Sequence, residues 1–423
     1  MSSDLLSYDE AAALVAACAA DLSRSQPPIH HVDLAVAAGR VLAQTLEADQ
    51  DQPPFARSTR DGFACRAAEA GTHAPLPVAG ATQAGQSPSG PLPPGAAWEI
   101  MTGAPVPAGA DAVVMIEHVE RDGNHVRLLP TRTVSPGDNI VAQGAQAHQG
   151  DVLLPAGAVL GPAQIALAAA CGYAVLEVFA RPRVAILTTG DELVPVDALP
   201  GPGQIRNSNA PMLATLVAAA GGEPWVLPAA ADTASSLDAA LAQAAEADLL
   251  LISGGVSAGK FDLVEPAMAR LGASFYFTGV RIQPGKPLVF GQLPRRDDSA
   301  LRHAQSTLPF FGLPGNPVSS AVTFQLFAAP VLGALAGSRE AGPRFALAKL
   351  TRATDRHLKP GLTRFLPALC NFNPPPGQLP QVAQVPWQGS GDQAAFARSN
   401  CFVVVPERDG CLEASTIVRI LLS

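Results

Sequence analysis

The chain has little lysine, four in 423 residues: Lys260, Lys286, Lys349 and Lys359. Aromatic residues are scarce as well, at 5%, and no basic run or basic–aromatic interleaving occurs. With a net charge of −8, this argues against a nucleic acid or an acidic membrane surface as partner. Cysteine is confined to Cys18, Cys65, Cys171, Cys370, Cys401 and Cys411 with no CxxC, and the histidines, including the pair His30-His31, contain no HxxxH. The common zinc spacings are therefore missing, and free thiols in a reducing cytoplasm, with no secretory leader, are the expectation. Charge is absent from Val152 to Leu176, a length that would suit a membrane span. Pro155, Gly157, Gly161, Pro162, Gln164 and Gly172 instead divide it into a strand, a short helix and a second strand.

What is present is small and apolar. The hydrophobic fraction is 48%, rich in alanine, and the length exceeds what one core supports, so two to four domains are expected. Ser7-Tyr8-Asp9-Glu10 has capping-box spacing and opens a helix reaching about Leu22; a second helix is expected from Leu34 to Thr45. Pro53-Pro54 forces extended chain, and Asp61-Gly62 favours a tight turn presenting Ser58 and Asp61. Short strands broken by Gly and Pro from Leu76 to Val141 read as a small β domain, in which Thr102 either donates to an oxyanion or closes its loop.

From Arg183 onward strands and helices alternate, the pattern of a doubly wound sheet. Arg183–Thr189 reads as a buried parallel strand, and its end carries Gly190, Asp191 and Glu192, where such sheets place catalytic or metal-binding acids. Asn209 would cap a helix from Pro211 to Ala220. Between Leu249 and Ser320 three apolar runs each stop at a loop: Ser253-Gly254-Gly255-Val256-Ser257-Ala258-Gly259, Gln283-Pro284-Gly285-Lys286-Pro287 and Gly312-Leu313-Pro314-Gly315-Asn316. Glycines let backbone N–H groups approach a ligand, and a helix beginning near Phe261 would aim its positive end there, so a phosphate-like anion is the expected occupant. Asp262 is either a first-turn helix residue or a metal ligand beside that loop. Beyond Ser320 a long apolar helix reaches about Leu335, and the remainder alternates strands and turns.

Taken together, PPFARSTRDGFA at 53–64, MTGAPVPAGADAVV at 101–114, LTTGDEL at 187–193, SGGVSAGKFD at 253–262, QPGKP at 283–287 and GLPGNPVS at 312–319 resemble the molybdopterin molybdenumtransferase family, the MoeA-type proteins and the gephyrin E domain. The resemblance runs in order through essentially the whole chain. It implies a multidomain α/β plus β protein: an elongated helical and β linker or dimerisation domain at 1–53 and 143–180, a small β-rich domain at 54–142, a doubly wound, MogA-like molybdopterin-binding domain at 181–337, and a C-terminal β domain at 338–423.

The implied activity is insertion of molybdate into adenylylated molybdopterin with release of AMP, by a homodimer using a divalent cation such as Mg²⁺. The family's site lies between the sheet domain of one subunit and the small β domain of the other. Asp61, Glu192, Asp262 and Lys286 would be catalytic, with Asp262 and Glu192 on the metal. Ser58, Thr102, Gly190, Gly254, Gly255, Ser257, Pro314, Gly315, Asn316, Ser319 and Arg364 would bind substrate. A molybdopterin adenylyltransferase and apo-molybdoenzymes are implied partners. Two other readings stand beside it: a catalytically silent scaffold of the same fold, as in the gephyrin branch, or an adenylyltransferase, which resembles the sheet domain alone. The chain departs from the family at Gln283, where many members have lysine, at Gly144-Ala145-Gln146, which lacks the usual acids, and at Ala394-Ala395, where serine is common.

Overall fold

The structure is a computed structural model and describes residues 5–255, 263–295, 306–354, 361–407 and 411–423. The chain forms two compact units, one of residues 1–43, 157–161 and 175–423, the other of residues 44–156 and 162–174.

The larger unit opens with α1 (Tyr8–Leu22), whose predicted capping box is present: Glu10 N donates to Ser7 Oγ at 3.2 Å and Ser7 N donates to Glu10 Oε2 at 2.7 Å. Its sheet contains β1 (Arg183–Thr188), β2 (Glu223–Val226), β3 (Leu249–Ser253), β4 (Ser274–Phe277), β6 (Val289–Pro294) and β7 (Thr307–Leu313). The strand order is β2-β1-β3-β7-β6-β4, parallel through β7 and antiparallel at β6 and β4. Alternation along the strands assigns each face to its own core. Val184, Ile186, Leu249, Leu251, Phe311 and Leu313 face α1, α2 (Asn209–Ala219) and the long helix α5 (Pro317–Leu335). Ala185, Leu187, Leu250, Ile252 and Phe310 face α3 (Ala234–Ala244) and α4 (Val264–Arg270). Helices on both faces make the sheet doubly wound, as its sequence pattern predicts. α5 is apolar enough for a membrane, yet 89% of its most apolar window is buried, so protein is its solvent.

The C-terminal strands β8 (Phe345–Leu350), β9 (Thr363–Asn371), β10 (Gln381–Gln384), β11 (Cys401–Val405) and β12 (Ile417–Leu422) close into a barrel through β9–β11 pairing, with β5 (Ile282–Gln283) added beside β9. Leu366, Ala368, Cys401, Val403 and Val405 fill the barrel. Phe365, Phe402, Val404 and Leu421 point outward into the core shared with α1 and α5. Burying each such side chain contributes about 2 kcal/mol, so the barrel is joined to the sheet domain by common packing.

The smaller unit is built on a six-stranded sheet in the order Ala112–Met115, Gly62–Cys65, Ala97–Ile100, Leu76–Thr82, His125–Leu128 and Val119–Asp122. The uncharged stretch is strand Val152–Leu154, helix Pro162–Ala170 and strand Val175–Phe179, as its prolines and glycines predict. The second helix expected at Leu34–Thr45 is not formed. Only Leu34–Val36 makes a short 3₁₀ turn. Beyond it Gly39, Leu42 and Ala43 donate their N–H groups to Leu160, Ala158 and Glu177 at 2.8–2.9 Å, so extended neighbours take the donors a helix would use.

Candidate functional site

The carboxyl ends of β1, β3 and β7 open into one cleft of about 950 Å³. Its lining includes Gly190 and Glu192 after β1, Gly254 and Gly255 after β3, and Pro314, Gly315 and Asn316 after β7. Of the three loops expected to meet, those after β3 and β7 do, because their parallel strands are neighbours; Gln283-Pro284-Gly285-Lys286-Pro287 leaves β5 beside the barrel and reaches the cleft only through Pro287, and the turn after β1 takes the third place. A groove of about 1040 Å³ between the start of α1 and the barrel is larger, but Tyr8, Phe345, Leu347, Val404 and Ile417 give it an apolar wall without strand-end glycine turns.

Main-chain geometry makes the cleft. Gly254 has φ +99° and Gly255 φ +64°, a conformation that side chains other than glycine's rarely adopt. Asn209 braces two of the turns: its Nδ2 donates to Ser253 Oγ at 2.8 Å and to the Gly315 carbonyl at 2.6 Å. Asn207 Nδ2 donates to Thr188 Oγ1 at 2.9 Å and so fixes the Gln204–Asn209 segment along the rim. The expected capping role of Asn209 is therefore replaced by a tertiary one; it is the first residue of α2, and Ser208 precedes it at the cap position. From the barrel, Gln393 Nε2 donates to Ser208 Oγ at 2.6 Å, and Asn316 Nδ2 donates to Ser390 Oγ at 2.9 Å. Gly391 and Gln393 line the cleft from that side.

The two acids after β1 divide their roles. Asp191 Oδ1 accepts from Asp232 N at 3.0 Å and ties two loops together, whereas Glu192 lines the cleft. Asp232 also lines it, and Arg206 is the single cation among the described lining residues. Sequence reasoning passed over both. Asp232 is the one charge in the loop 227–233 after β2, a position at a strand's carboxyl side that is a usable signal; Arg206 sits in a segment read only as the approach to a helix.

Other predicted residues lie elsewhere. Lys286 is exposed and does not line the cleft, although Pro287 beside it does. Ser319 is buried inside α5 and its carbonyl accepts from Thr323 Oγ1 at 2.8 Å. Arg364 is 2% exposed on β9, donating from Nε to Gln283 Oε1 at 2.9 Å and from Nη1 to the Leu362 carbonyl at 3.2 Å; it is not among the cleft's lining residues. Ser257 and Asp262 lie outside the described residues.

In the smaller unit, Asp61 and Thr102 are joined. Asp61 Oδ1 accepts from Thr102 Oγ1 at 2.7 Å and from Thr102 N at 2.6 Å, and those bonds, the hydroxyl first, hold its carboxyl below the usual range. Asp61 stays exposed and ionised. Ser58 is 2% exposed, with its hydroxyl donating to the Arg60 carbonyl at 2.6 Å. It shapes the bend that presents Asp61.

Among the described residues no three His, Cys, Asp or Glu side chains gather around one point. That suits Mg²⁺ nonetheless, because this ion keeps several waters and binds through one or two carboxylates plus substrate phosphates. Glu192 and Asp232 line the cleft and would be the carboxylates to hold such an ion, with Arg206 the one cation among its described lining residues.

Comparison with known proteins agrees across the chain. Family models described as the MoeA N-terminal region (domain I and II), a probable molybdopterin binding domain and the MoeA C-terminal region (domain IV) match residues 6–172, 185–334 and 349–422. The molybdopterin molybdenumtransferase of Haemophilus influenzae is 33% identical over 92% of this chain and 93% of its own. That of Bacillus subtilis is 36% identical over 90% of this chain and 87% of its own. Among solved structures, the molybdopterin biosynthesis MoeA protein of Pyrococcus horikoshii OT3 superposes with a TM-score of 0.78 at 28% identity, covering 99% of this chain and 100% of its own. Three family models that together span most of the chain, and relatives matched over nine-tenths of it, place the chain in the molybdopterin molybdenumtransferase family.

Proposed function

We propose that the cleft at the ends of β1, β3 and β7 takes adenylylated molybdopterin, and that molybdate is inserted there with release of AMP. The enzyme's place in molybdenum cofactor biosynthesis, as a transferase that inserts molybdenum into molybdopterin, follows from its family. The observation that carries the reading is the union, in one cleft, of positive-φ glycine turns at the ends of neighbouring parallel strands with the carboxylate of Glu192. The turns would seat the phosphates, and Glu192 would hold a Mg²⁺ ion. Bound there, the ion would neutralise the charge that builds on the phosphoanhydride as it breaks. Asp61, kept ionised by Thr102, would orient an oxygen or the ion, and a homodimer is the proposed working form. A reducing cytoplasm is the proposed setting, supported by six cysteines that are all free thiols. A molybdopterin adenylyltransferase would supply the substrate and apo-molybdoenzymes would receive the product.

Purified protein mixed with adenylylated molybdopterin, Mg²⁺ and molybdate is expected to release AMP and yield a cofactor that activates an apo-molybdoenzyme. Glu192→Gln should lower turnover about 10²-fold, the cost of one charged contact in a closed site, while its thermal midpoint stays unchanged because Glu192 is exposed. Binding without AMP release would instead identify a scaffold, and ATP consumption with bare molybdopterin an adenylyltransferase.

A further inference from the structure

The cleft floor holds two polar atoms that the protein itself does not satisfy. Thr189 is 8% exposed, and its Oγ1 is buried without a hydrogen-bond partner in the protein. Asn209 Oδ1 is in the same state. The Gly315 carbonyl can only accept, so it fixes the amide nitrogen of Asn209 toward itself and turns Oδ1 away. Both residues line the cleft and border Ser253: Thr189 N donates to the Ser253 carbonyl at 3.1 Å, and Asn209 Nδ2 to Ser253 Oγ.

The glycine turn is shaped around the Thr189 hydroxyl. A Cβ at Gly254 would lie 3.1 Å from Oγ1, and one at Gly255 would lie 3.0 Å from it. The two glycines therefore put no side-chain carbon against the hydroxyl on the side of the turn. A buried hydroxyl without a partner is unfavourable, and valine would fill the same space without that cost. Such a group calls for a partner from outside the protein, a ligand or a water.

We propose that Thr189 is a ligand-contacting residue whose hydroxyl donates to a phosphate oxygen of the pterin nucleotide seated on the Gly254-Gly255 turn. The inference rests on the functional reading above and adds a side-chain donor to the main-chain amides. Asn209 Oδ1, an acceptor only, makes the complementary demand for an N–H donor on the same ligand. The competing occupant is one water, for which a cavity of about 10 Å³ is lined by Thr189, Asp232, Gly255 and Val264 among others. Such a water would satisfy Thr189 in the free and bound protein alike.

The test titrates adenylylated molybdopterin with Mg²⁺, without molybdate, into the full chain and its Thr189→Val and Thr189→Ser variants, with Tm measured in parallel. Thr189→Val should keep or raise Tm while its Kd rises at least about tenfold, and Thr189→Ser should return Kd to within about threefold of native. A Thr189→Val Kd within about twofold of native would overturn the assignment in favour of the water. A lowered Tm in Thr189→Val would overturn it too, because the hydroxyl would then be holding the fold. Failure of the native chain to bind the pterin nucleotide would sink the functional reading and this inference with it, a result distinct from native binding that Thr189→Val leaves intact.

Discussion

At the scale of single residues, hydrogen bonds decide what each acid can do. Thr102 gives Asp61 Oδ1 two donors, and the carboxylate is favoured over the acid because hydrogen bonds to the charged oxygen are the stronger. Replacing Thr102 by Val removes the hydroxyl and leaves the backbone donor. The Asp61 carboxyl should then titrate at higher pH, toward the ordinary carboxylate range. A depressed carboxyl contributes stability that is present above its unfolded-state pKa and lost as pH falls through the folded one. In Thr102→Val that contribution should therefore be smaller, and its loss complete at a higher pH. An NMR titration of the Asp61 carboxyl carbon reads this directly, and an unmoved titration would show that the hydroxyl bond does not form in solution. Burial acts oppositely on the thiols. It pushes Cys65 and Cys401 up to about 12, which keeps them protonated and inert.

At the scale of elements, the cleft depends on backbone conformations that only certain residues allow. Ala at Gly254 would have to adopt φ +99° and place its Cβ 2.6 Å from the Thr189 carbonyl oxygen, a backbone atom that cannot swing aside. Gly254→Ala should thus cost about 2 kcal/mol or more and lower the urea midpoint. An unshifted midpoint would mean that the turn relaxes freely. This loop was legible in the sequence because an apolar run ending in Gly-Gly constrains both strand and turn. So were the two faces of the sheet, through alternation along β1, β3 and β7. The stretch Leu34–Thr45 was not, since its Leu and Ala content suits a helix and only distant partners at Ala158, Leu160 and Glu177 reveal it as extended. Gly62 shows a subtler miss. Read as a turn former, it lies instead in a strand, and glycine is required because the Val114 carbonyl leaves no room for a Cβ. Arg206 was hidden because spacing along the chain does not show which rim residues a cleft gathers, whereas Asp232 stood at a strand's carboxyl side and was passed over.

At the scale of the molecule, core packing defines what should unfold together. The core under one face of the sheet includes α1, α5 and the outward side chains Phe365, Phe402, Val404 and Leu421 of the barrel, so sheet and barrel share their largest apolar contacts. The smaller unit has cores of its own, one around Phe63, Cys65, Val114 and Leu128, the other around Trp98, Ile100 and Val113. No described core cluster draws residues from both units. Scanning calorimetry should accordingly give a calorimetric enthalpy larger than the van't Hoff value, as expected when more than one cooperative block melts. Phe63→Ala supplies the assignment. Phe63 is 2% exposed, and truncating it should cost the smaller unit about 3–5 kcal/mol, moving one transition down by several degrees. The transition of the sheet and barrel should hold its position, because none of its core side chains has been changed. A single transition that shifts as a whole in Phe63→Ala would show that the two units melt as one cooperative block, despite the separation of their cores.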